Sequence, residues 1–367
     1  MSAVESQPGS LPATPLRERD RPFLEEGSQV GRYRILKRLG TGAMGEVYLG
    51  IDESLGRRAA IKVLGGRHLT NPTTKERFLR EARALARHAH PNLITVFESG
   101  VVGQRPYYAM ELLEGGDTQT LLEERGPLPS GVVAIIGAEA AAGLGEAARA
   151  HIIHRDVKPA NLGISAHGVL KVTDFGLAKS HATESKSLTG EGFVVGTADY
   201  IAPEQARGEP VDERADVYAL GCTLFHLLTG RPPFRSGGKT DVQRYADVMR
   251  AHLNQPVPDA RTLAPETDPE LAELIMRLMH KQRDQRPTFE EVAPLLAGIS
   301  ARLGGELPRV TRKLFTLPTG APVLMPSIVE AAPAVPASAP NHRLQVIGAT
   351  CAMVLSAIAL VIALLNR

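Results

Sequence analysis

A short loop in the middle of the chain concentrates side chains that can move a proton and hold a metal ion. Residues 154–161 read HRDVKPAN. The Asp156 carboxylate can accept a proton from an alcohol, the Asn161 carboxamide can bind a hard metal ion through oxygen, and Lys158 can neutralise a phosphoryl group in transfer. A charged surface turn is the alternative, but it does not explain why this polar loop lies between two apolar runs.

Two further segments could supply a metal ligand and a phosphate cradle. Asp174 follows the strand-like run 170–173 and is a second candidate metal ligand, although an ordinary turn can also contain Asp. Residues 40–47 read GTGAMGEV between two predicted strands. Glycines let the backbone approach phosphate oxygens and donate N–H groups to them. A hairpin turn also uses glycine, and a dinucleotide fold would need a helix where a strand follows here.

One lysine and one glutamate complete the set. Lys62 lies in the middle of a predicted strand, where a lysine is usually a solvated edge charge. Glu81 lies on the helix predicted next along the chain. We expect Glu81 to pair with Lys62 and to aim the ammonium group at phosphates.

The order of the predicted elements places these residues around one cleft. Strands are predicted at 33–39, 46–52, 58–64, 93–99 and 107–112, with one helix at 75–88. After Gly115 and Gly116 the pattern is mainly helical, with helices at 132–150, 215–229, 242–252, 269–279 and 289–296. A strand-rich small lobe followed by a helix-rich large lobe leaves a cleft near that junction, and such clefts favour ligand binding.

The ordered set of motifs resembles the protein-kinase signature over about residues 33–298. It looks most like the bacterial branch of serine/threonine kinases, which often carry a membrane segment outside the kinase domain. The resemblance implies an α+β, bilobal protein-kinase-like fold, with a small antiparallel sheet and one helix in the N-lobe and a larger helical C-lobe. It also implies transfer of the ATP γ-phosphoryl group to Ser or Thr hydroxyls of proteins, with Mg²⁺, or alternatively Mn²⁺, as the metal.

The resemblance assigns catalytic and metal-binding roles residue by residue. The catalytic side chains would be Asp156, Lys158, Lys62 and Glu81, and the metal ligands would be Asn161 and Asp174. Asp156 would be the base, and the lysine two residues after it matches the serine/threonine type of kinase.

The resemblance also assigns a nucleotide site between the lobes. Met110 would line the back of the adenine pocket, Glu111 and Leu113 would offer backbone groups to the base, and Asp117 could reach the ribose. The full predicted set is Leu39, Gly40, Thr41, Gly42, Ala43, Met44, Gly45, Val47, Ala60, Lys62, Met110, Glu111, Leu113, Asp117, Asn161 and Asp174.

A third group would hold a peptide substrate and the catalytic loop. Residues 202–204 read APE and resemble the end of an activation segment, with Arg286 as the buried ion-pair partner of its glutamate. Thr197 would touch the catalytic loop, and Asp216 would support the backbone of that loop.

Arg155 directly precedes the predicted base. In the family this arrangement accompanies control by activation-loop phosphorylation, because a buried arginine binds an anion. The loop 178–195 supplies hydroxyls for autophosphorylation at Thr183, Ser185, Ser187 and Thr189. A Ser/Thr-rich loop without a regulatory role is the alternative.

Two positions depart from the family pattern. Gly163 stands where the family usually has a leucine or a similar group packing under adenine, and its absence predicts a loss of about 1–3 kcal/mol of ATP binding. Ala148 replaces a frequent histidine, which we interpret as a structural variation. The residues needed for phosphoryl transfer are all present, which favours an active kinase over an ATP-binding, membrane-tethered pseudokinase or scaffold. A kinase-like enzyme for small molecules would usually lack segments 196–197 and 202–204.

Composition excludes other classes of function. The chain has 367 residues and a formal net charge of +2, and it has no basic stripe with interleaved aromatics, so we expect no nucleic-acid partner. Its two cysteines, Cys222 and Cys351, are far apart and offer neither a disulfide framework nor metal-ligand spacing. This agrees with a reducing compartment.

Both ends of the chain are predicted to lie outside the kinase domain at 33–298. Residues 1–32 lack an apolar signal-peptide core and predict a disordered tail. Residues 299–343 begin with the rest of a helix and then predict a Pro/Ala-rich juxtamembrane linker. Residues 344–366 carry no charge and are almost all apolar, which predicts a separate single transmembrane helix. The alternatives are a buried helix of a globular domain and an amphipathic surface helix. The first would need a domain around it, but a Pro-rich linker precedes it, and the second would need a polar face, which the sequence does not show.

Charge bias suggests how the chain would sit in a membrane. Arg343 and more distant cations precede the segment and only Arg367 follows it, which favours a cytoplasmic kinase domain. The C-terminus would lie at or beyond the far face, and we expect no external sensor domain. The expected partners are protein substrates with Ser or Thr, and a second copy of the chain for autophosphorylation in trans.

Overall fold

The computed structural model describes residues 22–42, 44–175 and 198–307. Several predicted features fall outside these ranges, namely Ala43, Gly176, the loop hydroxyls at 183–189, Gly196, Thr197, the linker beyond 307 and the membrane segment 344–366. Those features remain predictions.

The first lobe is built on a six-stranded antiparallel sheet with the strand order β1-β2-β3-β4-β6-β5. Its strands are β1 (Gln29–Val30), β2 (Tyr33–Gly42), β3 (Gly45–Asp52), β4 (Arg57–Leu64), β5 (Val96–Val102) and β6 (Arg105–Met110). Strands β1 to β4 pair in chain order because the turns between them are short, whereas β4 pairs with β6, and β5 pairs with β6 at the edge of the sheet. The small sheet predicted for this lobe is confirmed.

Alternation along β4 separates the two faces of this sheet. Ile61 and Val63 belong to a buried cluster on one face, whereas Ala60 and Leu64 belong to the core shared with the rest of the domain. Lys62 lies between Ile61 and Val63 and therefore shares a face with Ala60 and Leu64. The lysine side chain consequently points to the face that carries the cleft.

One helix, α1 (Pro72–Ala86), packs against the sheet. Asn71 caps its N-terminus by accepting a hydrogen bond from the backbone N–H of Thr74 at 3.2 Å. Phe78, with Ala82 and Leu85, forms the buried stripe, and the Phe78 ring lies 5.1 Å from that of Tyr108 on β6. This amphipathic stripe is the 3.6-residue pattern visible in the sequence.

The second lobe is mainly helical. Its described elements are α2 (Thr118–Arg125), α3 (Ser130–Arg149), β7 (Leu162–Ile164), β8 (Leu170–Val172), α4 (Pro203–Arg207), α5 (Arg214–Thr229), α6 (Asp241–Asn254), α7 (Pro269–Leu278) and α8 (Phe289–Leu303). Helix α5 is buried along most of its length, and α3 packs against α5 and α8. The strands β7 and β8 pair with each other and carry the segments next to the predicted site.

Helix α3 is, among the described residues, the one helix long and apolar enough to span a membrane by length and composition. Two thirds of its apolar window, 67%, is buried inside the domain. Its apolar surface is therefore covered by protein, as expected for a core helix.

Close backbone contact joins the two lobes at Gly115 and Gly116. The Gly115 N–H donates to the Ile164 carbonyl at 3.0 Å, and the Ile164 N–H donates to the Gly116 carbonyl at 2.8 Å. A Cβ on Gly115 would lie 2.7 Å from the Ile164 oxygen, so this approach requires glycine. The lobe junction predicted at these glycines is confirmed.

Ordered structure extends past both predicted boundaries of the kinase domain. Residues 22–32 were expected in a disordered tail, but the backbone of Phe23 and Leu24 is bonded to the sheet and Val30 is buried in β1. At the other end α8 continues past residue 298 to Leu303 and ends at Gly304, which adopts the left-handed conformation.

The elements β5 and α2 also differ from the predictions, and the short elements β1, β7 and α4 were not predicted. The strand expected at 93–99 begins at Val96, because Leu93 instead bridges Val172 of β8. Helix α2 was not predicted, since its buried leucines are adjacent in sequence, at 121 and 122, and do not form a helical stripe.

Candidate active site

The buried carboxylate of Asp216 fixes the backbone of the loop 154–161. Asp216, near the start of α5, accepts hydrogen bonds from the backbone N–H groups of His154 and Arg155, both at 2.7 Å. Burial raises the pKa of Asp216 to about 7, although the two hydrogen bonds oppose that rise. Arg155 has a left-handed backbone with φ of +63°. Such a conformation costs free energy in a non-glycine residue, so Asp216 stabilises a turn that the chain would otherwise avoid.

His154 connects this loop to the second predicted metal ligand. Its Nδ1 accepts from the backbone N–H of Asp156 at 3.2 Å, so its Nε2 donates to the Thr173 carbonyl at 2.8 Å. The imidazole also packs on Phe175, with 4.5 Å between ring centroids. One buried side chain thereby fixes Asp156 relative to Asp174.

Three predicted active-site residues meet at the Asp156 carboxylate. The Lys158 ammonium lies 2.9 Å from Asp156 Oδ2. The Asn161 Nδ2 donates to the Asp156 carbonyl at 2.7 Å and contacts Oδ2 at 3.2 Å. The amide nitrogen of Asn161 is therefore engaged within the loop, which leaves its carbonyl oxygen as the atom for a metal ion.

Lys62 pairs with Asp174 across the cleft. The ammonium lies 2.7 Å from Asp174 Oδ1, and the lysine is buried while the Asp174 side chain is 38% exposed. Burial is the largest single influence and disfavours both charges, but the attraction and hydrogen bond between the two groups, together with Tyr108 near Lys62 and the cations near Asp174, outweigh it. The pKa of Lys62 is therefore raised and that of Asp174 lowered, so both groups are ionised at neutral pH.

The expected ion pair between Lys62 and Glu81 is not formed in this structure. Among the described residues, the ion-pair partner of Lys62 is Asp174, and Glu81 makes no ion pair with it. Burial raises the pKa of Glu81 to about 7, and the cation that most opposes this rise is Arg155. Glu81 thus lies in the field of the arginine beside the predicted base instead of on the lysine.

The glycine-rich segment forms the turn between β2 and β3. Gly42 pairs with Gly45 at the end of the hairpin. A Cβ on Gly45 would lie 1.9 Å from the Val63 carbonyl oxygen, and its φ is +151°, so the position needs glycine. The backbone N–H of Gly65 donates to the Met44 carbonyl at 2.9 Å and ties the turn to the end of β4.

The predicted adenine pocket lies where three strands meet the lobe junction. Ala60 pairs with Met110 across β4 and β6, and Val47 pairs with Lys62 across β3 and β4. The Glu111 N–H donates to the Thr95 carbonyl at 2.9 Å. The Glu111 carbonyl is consequently the backbone group of that residue left for a base.

The space left by Gly163 is filled from the opposite side of the pocket. A Cβ built on Gly163 would lie 2.3 Å from Leu113 Cδ1. Leu113 belongs to the segment after β6, so its side chain replaces part of the apolar surface expected from a leucine at 163. Leu113 thus occupies space that a side chain at 163 would need, and the expected loss of ATP binding stays a prediction.

Asp117, predicted to reach the ribose, also caps α2. It accepts from the Thr120 N–H at 2.8 Å, and burial raises its pKa. Thr118 donates from its hydroxyl to the Pro159 carbonyl at 2.9 Å, inside the loop that holds Asp156. No sequence motif points to Thr118, because its role depends on a contact between segments far apart in the chain.

The predicted pair between Glu204 and Arg286 is confirmed. The guanidinium makes two parallel contacts with the carboxylate, at 2.6 and 2.8 Å, and both side chains are buried. Bidentate geometry is the strongest form of this contact. The pair fixes the start of α4 at the base of the helical lobe.

The donor set fits a hard divalent ion. Within residues 22–42, 44–175 and 198–307 there is no group of three or more His, Cys, Asp or Glu that could hold a metal. A carboxylate from Asp174 and a carboxamide oxygen from Asn161 suit Mg²⁺, which usually takes one or two protein ligands together with phosphate oxygens and water.

Comparisons with known proteins agree with this geometry. A family model described as the protein kinase domain matches residues 33–294. Serine/threonine-protein kinase PknB of Mycolicibacterium smegmatis is 38% identical over 77% of this chain and 45% of that protein. Serine/threonine-protein kinase PknL of Mycobacterium tuberculosis is 40% identical over 62% of this chain and 57% of that protein.

A solved structure is similar over the same region. The crystal structure of the Mycobacterium tuberculosis PknI kinase domain superposes with a TM-score of 0.59 at 27% identity, covering 75% of this chain and 99% of that one. The chain spans about half the length of the curated relatives it matches.

Proposed function

Because this chain belongs to the protein kinase family, we propose that it transfers the γ-phosphoryl group of ATP to Ser or Thr hydroxyls of proteins. The observation that carries this proposal is the convergence of Asp156, Lys158 and Asn161 in one loop with Asp174 beside it. The relatives described as serine/threonine-protein kinases support the choice of hydroxyl.

Each side chain has a distinct task in this reaction. Asp156 orients the substrate hydroxyl and accepts its proton, and Lys158 beside it offsets negative charge that develops on the phosphoryl group. Lys62 holds the phosphates of the nucleotide. Mg²⁺ bound by Asn161 and Asp174 would neutralise phosphate charge. Most of the catalysis then comes from positioning.

Lys62 has to change partner for this task. In the structure it is paired with Asp174, one of the two proposed metal ligands. Metal binding would compete for that carboxylate and release the lysine toward phosphates. Glu81 is then available to pair with it, as the family resemblance implies. A pseudokinase scaffold is the less favoured function, because every residue needed for phosphoryl transfer is present.

Phosphoryl transfer by the full chain tests the proposal. The chain is incubated with labelled ATP, Mg²⁺ and a basic protein rich in Ser and Thr. We expect label on Ser or Thr, and a loss of at least about a hundredfold in Asp156→Asn and Lys62→Ala. Asp241→Asn is the matched control, because its side chain is 60% exposed and remote from the cleft. Label that persists in both active-site variants would show a contaminating enzyme or a wrong assignment.

Activation by autophosphorylation is part of the proposal. The Nε atom of Arg155 is buried and has no hydrogen-bond partner among the described residues, which suits an arriving phosphate. Candidate acceptors are Thr183, Ser185, Ser187 and Thr189. Mass spectrometry of active protein should find phosphate on at least one of them. Full activity with an unmodified loop would contradict this part.

We also propose that residues 344–366 anchor the chain in a membrane with its kinase domain in the cytoplasm. The support is the uncharged apolar run and the cations that precede it. Deleting 344–366 should move the protein from the membrane to the soluble fraction. Protease added outside sealed cells should leave the kinase domain intact, and its digestion there would reverse the orientation.

Tethering would raise the local concentration of kinase domains and favour phosphorylation in trans. A wild-type chain should phosphorylate an Asp156→Asn copy faster on shared vesicles than at the same bulk concentration without residues 344–366. Equal rates would remove self-association on the membrane from the proposal.

A further inference from the structure

Residues just before the family match pack onto the outer face of the sheet. The match begins at residue 33, whereas Phe23 and Leu24 already lie against a buried cluster that includes Ile61 and Val63. This face is opposite to the one that carries Lys62 and the cleft. The segment is therefore in a position to act on the nucleotide site only through the strands between them.

Glu46 provides the first of these connections. It follows the glycine-rich turn on β3 and is 2% exposed. Its carboxylate accepts from the Phe23 backbone N–H at 2.8 Å and from Arg38 Nη1 at 2.8 Å, and it also accepts from the Tyr48 hydroxyl. That hydroxyl in turn accepts from the Leu24 N–H at 3.0 Å. Val47, between these residues, faces the cleft.

The Phe23 ring provides the second connection. Gly65 lies directly after β4, and a Cβ built on it would be 2.0 Å from Phe23 Cε2 and 2.3 Å from Cζ. The same glycine donates its N–H to the Met44 carbonyl in the glycine-rich turn at 2.9 Å. The Arg105 guanidinium covers the ring at 4.1 Å from its centroid. The ring is thus clamped between a cation and the residue that holds the turn.

We infer that Phe23 is a positioning residue for ATP, acting through Gly65 on the glycine-rich turn. The inference rests on the proposed kinase function for its kinetic consequence, but the contact itself does not. Phe23 touches neither nucleotide nor reacting atoms. The Phe23 ring limits movement of Gly65 at the end of β4, and the hydrogen bond from Gly65 limits movement of Met44. The glycine-rich turn would thereby keep a fixed position over the phosphates of ATP.

A kinetic split separates this role from general stabilisation. In Phe23→Ala the turn loses a support while the catalytic loop is untouched. We expect the KM for ATP to rise about three- to tenfold, with kcat and the KM for the protein substrate within about twofold. Leu24→Ala is the matched control, because Leu24 packs on the same cluster and does not lie against Gly65. It should lower stability without raising the KM for ATP.

Gly65→Ala tests the contact from the other side. Gly65 has an extended backbone, with φ of −144°, so alanine is compatible with its conformation. The three nearest heavy atoms to the added methyl all belong to the Phe23 ring. We expect Gly65→Ala to raise the KM for ATP as Phe23→Ala does, and the double variant to be no worse than Phe23→Ala alone. Additive effects in the double variant would overturn the inference.

Amide hydrogen exchange gives a readout that needs no activity. In the full chain, Phe23→Ala should increase exchange at residues 41–48 and leave residues 154–161 unchanged, relative to Leu24→Ala. Unchanged exchange at the turn would overturn the inference even if the chain is an active kinase. If exchange at residues 41–48 becomes faster in Phe23→Ala but the chain transfers no phosphate, the positioning contact of Phe23 is supported and the proposed kinase function is rejected.

Discussion

The two halves of the active site are held in different ways. In the helical lobe, Asp156 lies in a loop fixed by Asp216 and His154, through hydrogen bonds of 2.7 to 3.2 Å. In the strand-rich lobe, Lys62 has Asp174 as its partner, while Glu81 is half-buried and makes no ion pair with Lys62. The catalytic loop of the helical lobe is therefore held through its own backbone N–H groups. The position of Lys62 in the strand-rich lobe depends instead on the carboxylate with which it pairs.

This difference follows from the kind of contact in each half. A buried carboxylate that accepts two backbone N–H groups specifies one arrangement, because any other leaves polar groups unpaired. Lys62 instead contacts Asp174 at the end of a flexible side chain, and the proposed reaction would give it Glu81 as a second carboxylate partner. We therefore expect the helical lobe to supply a fixed reaction geometry and the strand-rich lobe to supply the part that changes when nucleotide binds.

The largest expected effect comes from breaking the fixed half. In Asp216→Ala the N–H groups of His154 and Arg155 lose their acceptor, and the left-handed turn at Arg155 loses its support. We expect kcat to fall about a hundredfold or more, since displacement of a catalytic group by about 1 Å has that consequence. The affinity for ATP should change little, and steady-state kinetics with a direct nucleotide titration would show the split.

Asp216→Asn sharpens this test. The amide keeps one oxygen that can accept a hydrogen bond. Its NH2 group replaces the second oxygen and would face a backbone N–H of the loop, so we expect an intermediate loss of kcat. If both variants bind nucleotide as the wild type does and also turn over at its rate, the loop is held by other contacts and the two halves do not differ as described.

The fixed half could largely be predicted from the sequence. Residues 154–161 are close together in the sequence, and Asp174 follows soon after them. Residues so close in sequence can be expected to lie close together in the folded chain, so their shared chemistry is visible before folding. Asp216 and the pair of Glu204 with Arg286 were assigned by resemblance, and the structure places both where that resemblance implies. The sheet and most helices follow from periods of two and 3.6 residues.

The switchable half could not be predicted in the same way. Sequence shows that Lys62 has carboxylates available but not which one it contacts, because the choice depends on the position of α1 relative to the cleft. The order of residues 22–32 was missed for a similar reason. Phe23 and Leu24 are held by contacts to positions 46, 48 and 65, which no local pattern reveals.

A smaller effect should follow from the titration of Glu81. Its pKa in the folded chain is about 7, above the ordinary value of 4.5. For a raised carboxyl pKa, the favourable contribution to folding is complete below pH 4.5 and is lost as the pH rises through 7. Glu81→Gln removes this dependence. In urea titrations the variant should match the wild type near pH 4.5 and be more stable at pH 8, by about 1–2 kcal/mol after allowance for partial exposure.

Nucleotide should reverse that result if the two arrangements of Lys62 exchange. With Mg²⁺ and a non-hydrolysable ATP analogue, Asp174 is drawn to the metal and Glu81 gains the lysine, which lowers the pKa of Glu81. Glu81→Gln should then be less stable than the wild type at pH 8. An advantage for the variant that persists with the analogue would mean that Glu81 never reaches Lys62, and the strand-rich half would be as fixed as the other.

The smallest expected effect lies where the two halves meet. Leu113 comes from the segment after β6 and fills the space above Gly163, which lies on β7 of the helical lobe. In Gly163→Ala the new methyl would collide with Leu113 Cδ1, so the leucine must move out of the pocket. We expect the KM for ATP to rise about three- to fivefold with kcat unchanged, equivalent to roughly 1 kcal/mol of binding.

Exchange of the two side chains decides whether they form one apolar surface. Leu113→Ala alone should also weaken ATP binding, by leaving a gap beside the base. The double variant Leu113→Ala with Gly163→Leu moves the leucine from one lobe to the other and should recover most of the lost affinity. Recovery would show that the pocket needs a leucine at that place and is indifferent to which lobe supplies it. A double variant that binds ATP worse than either single variant would show instead that Leu113 fixes the spacing between the two lobes. A leucine at position 163 of the helical lobe could not perform that role.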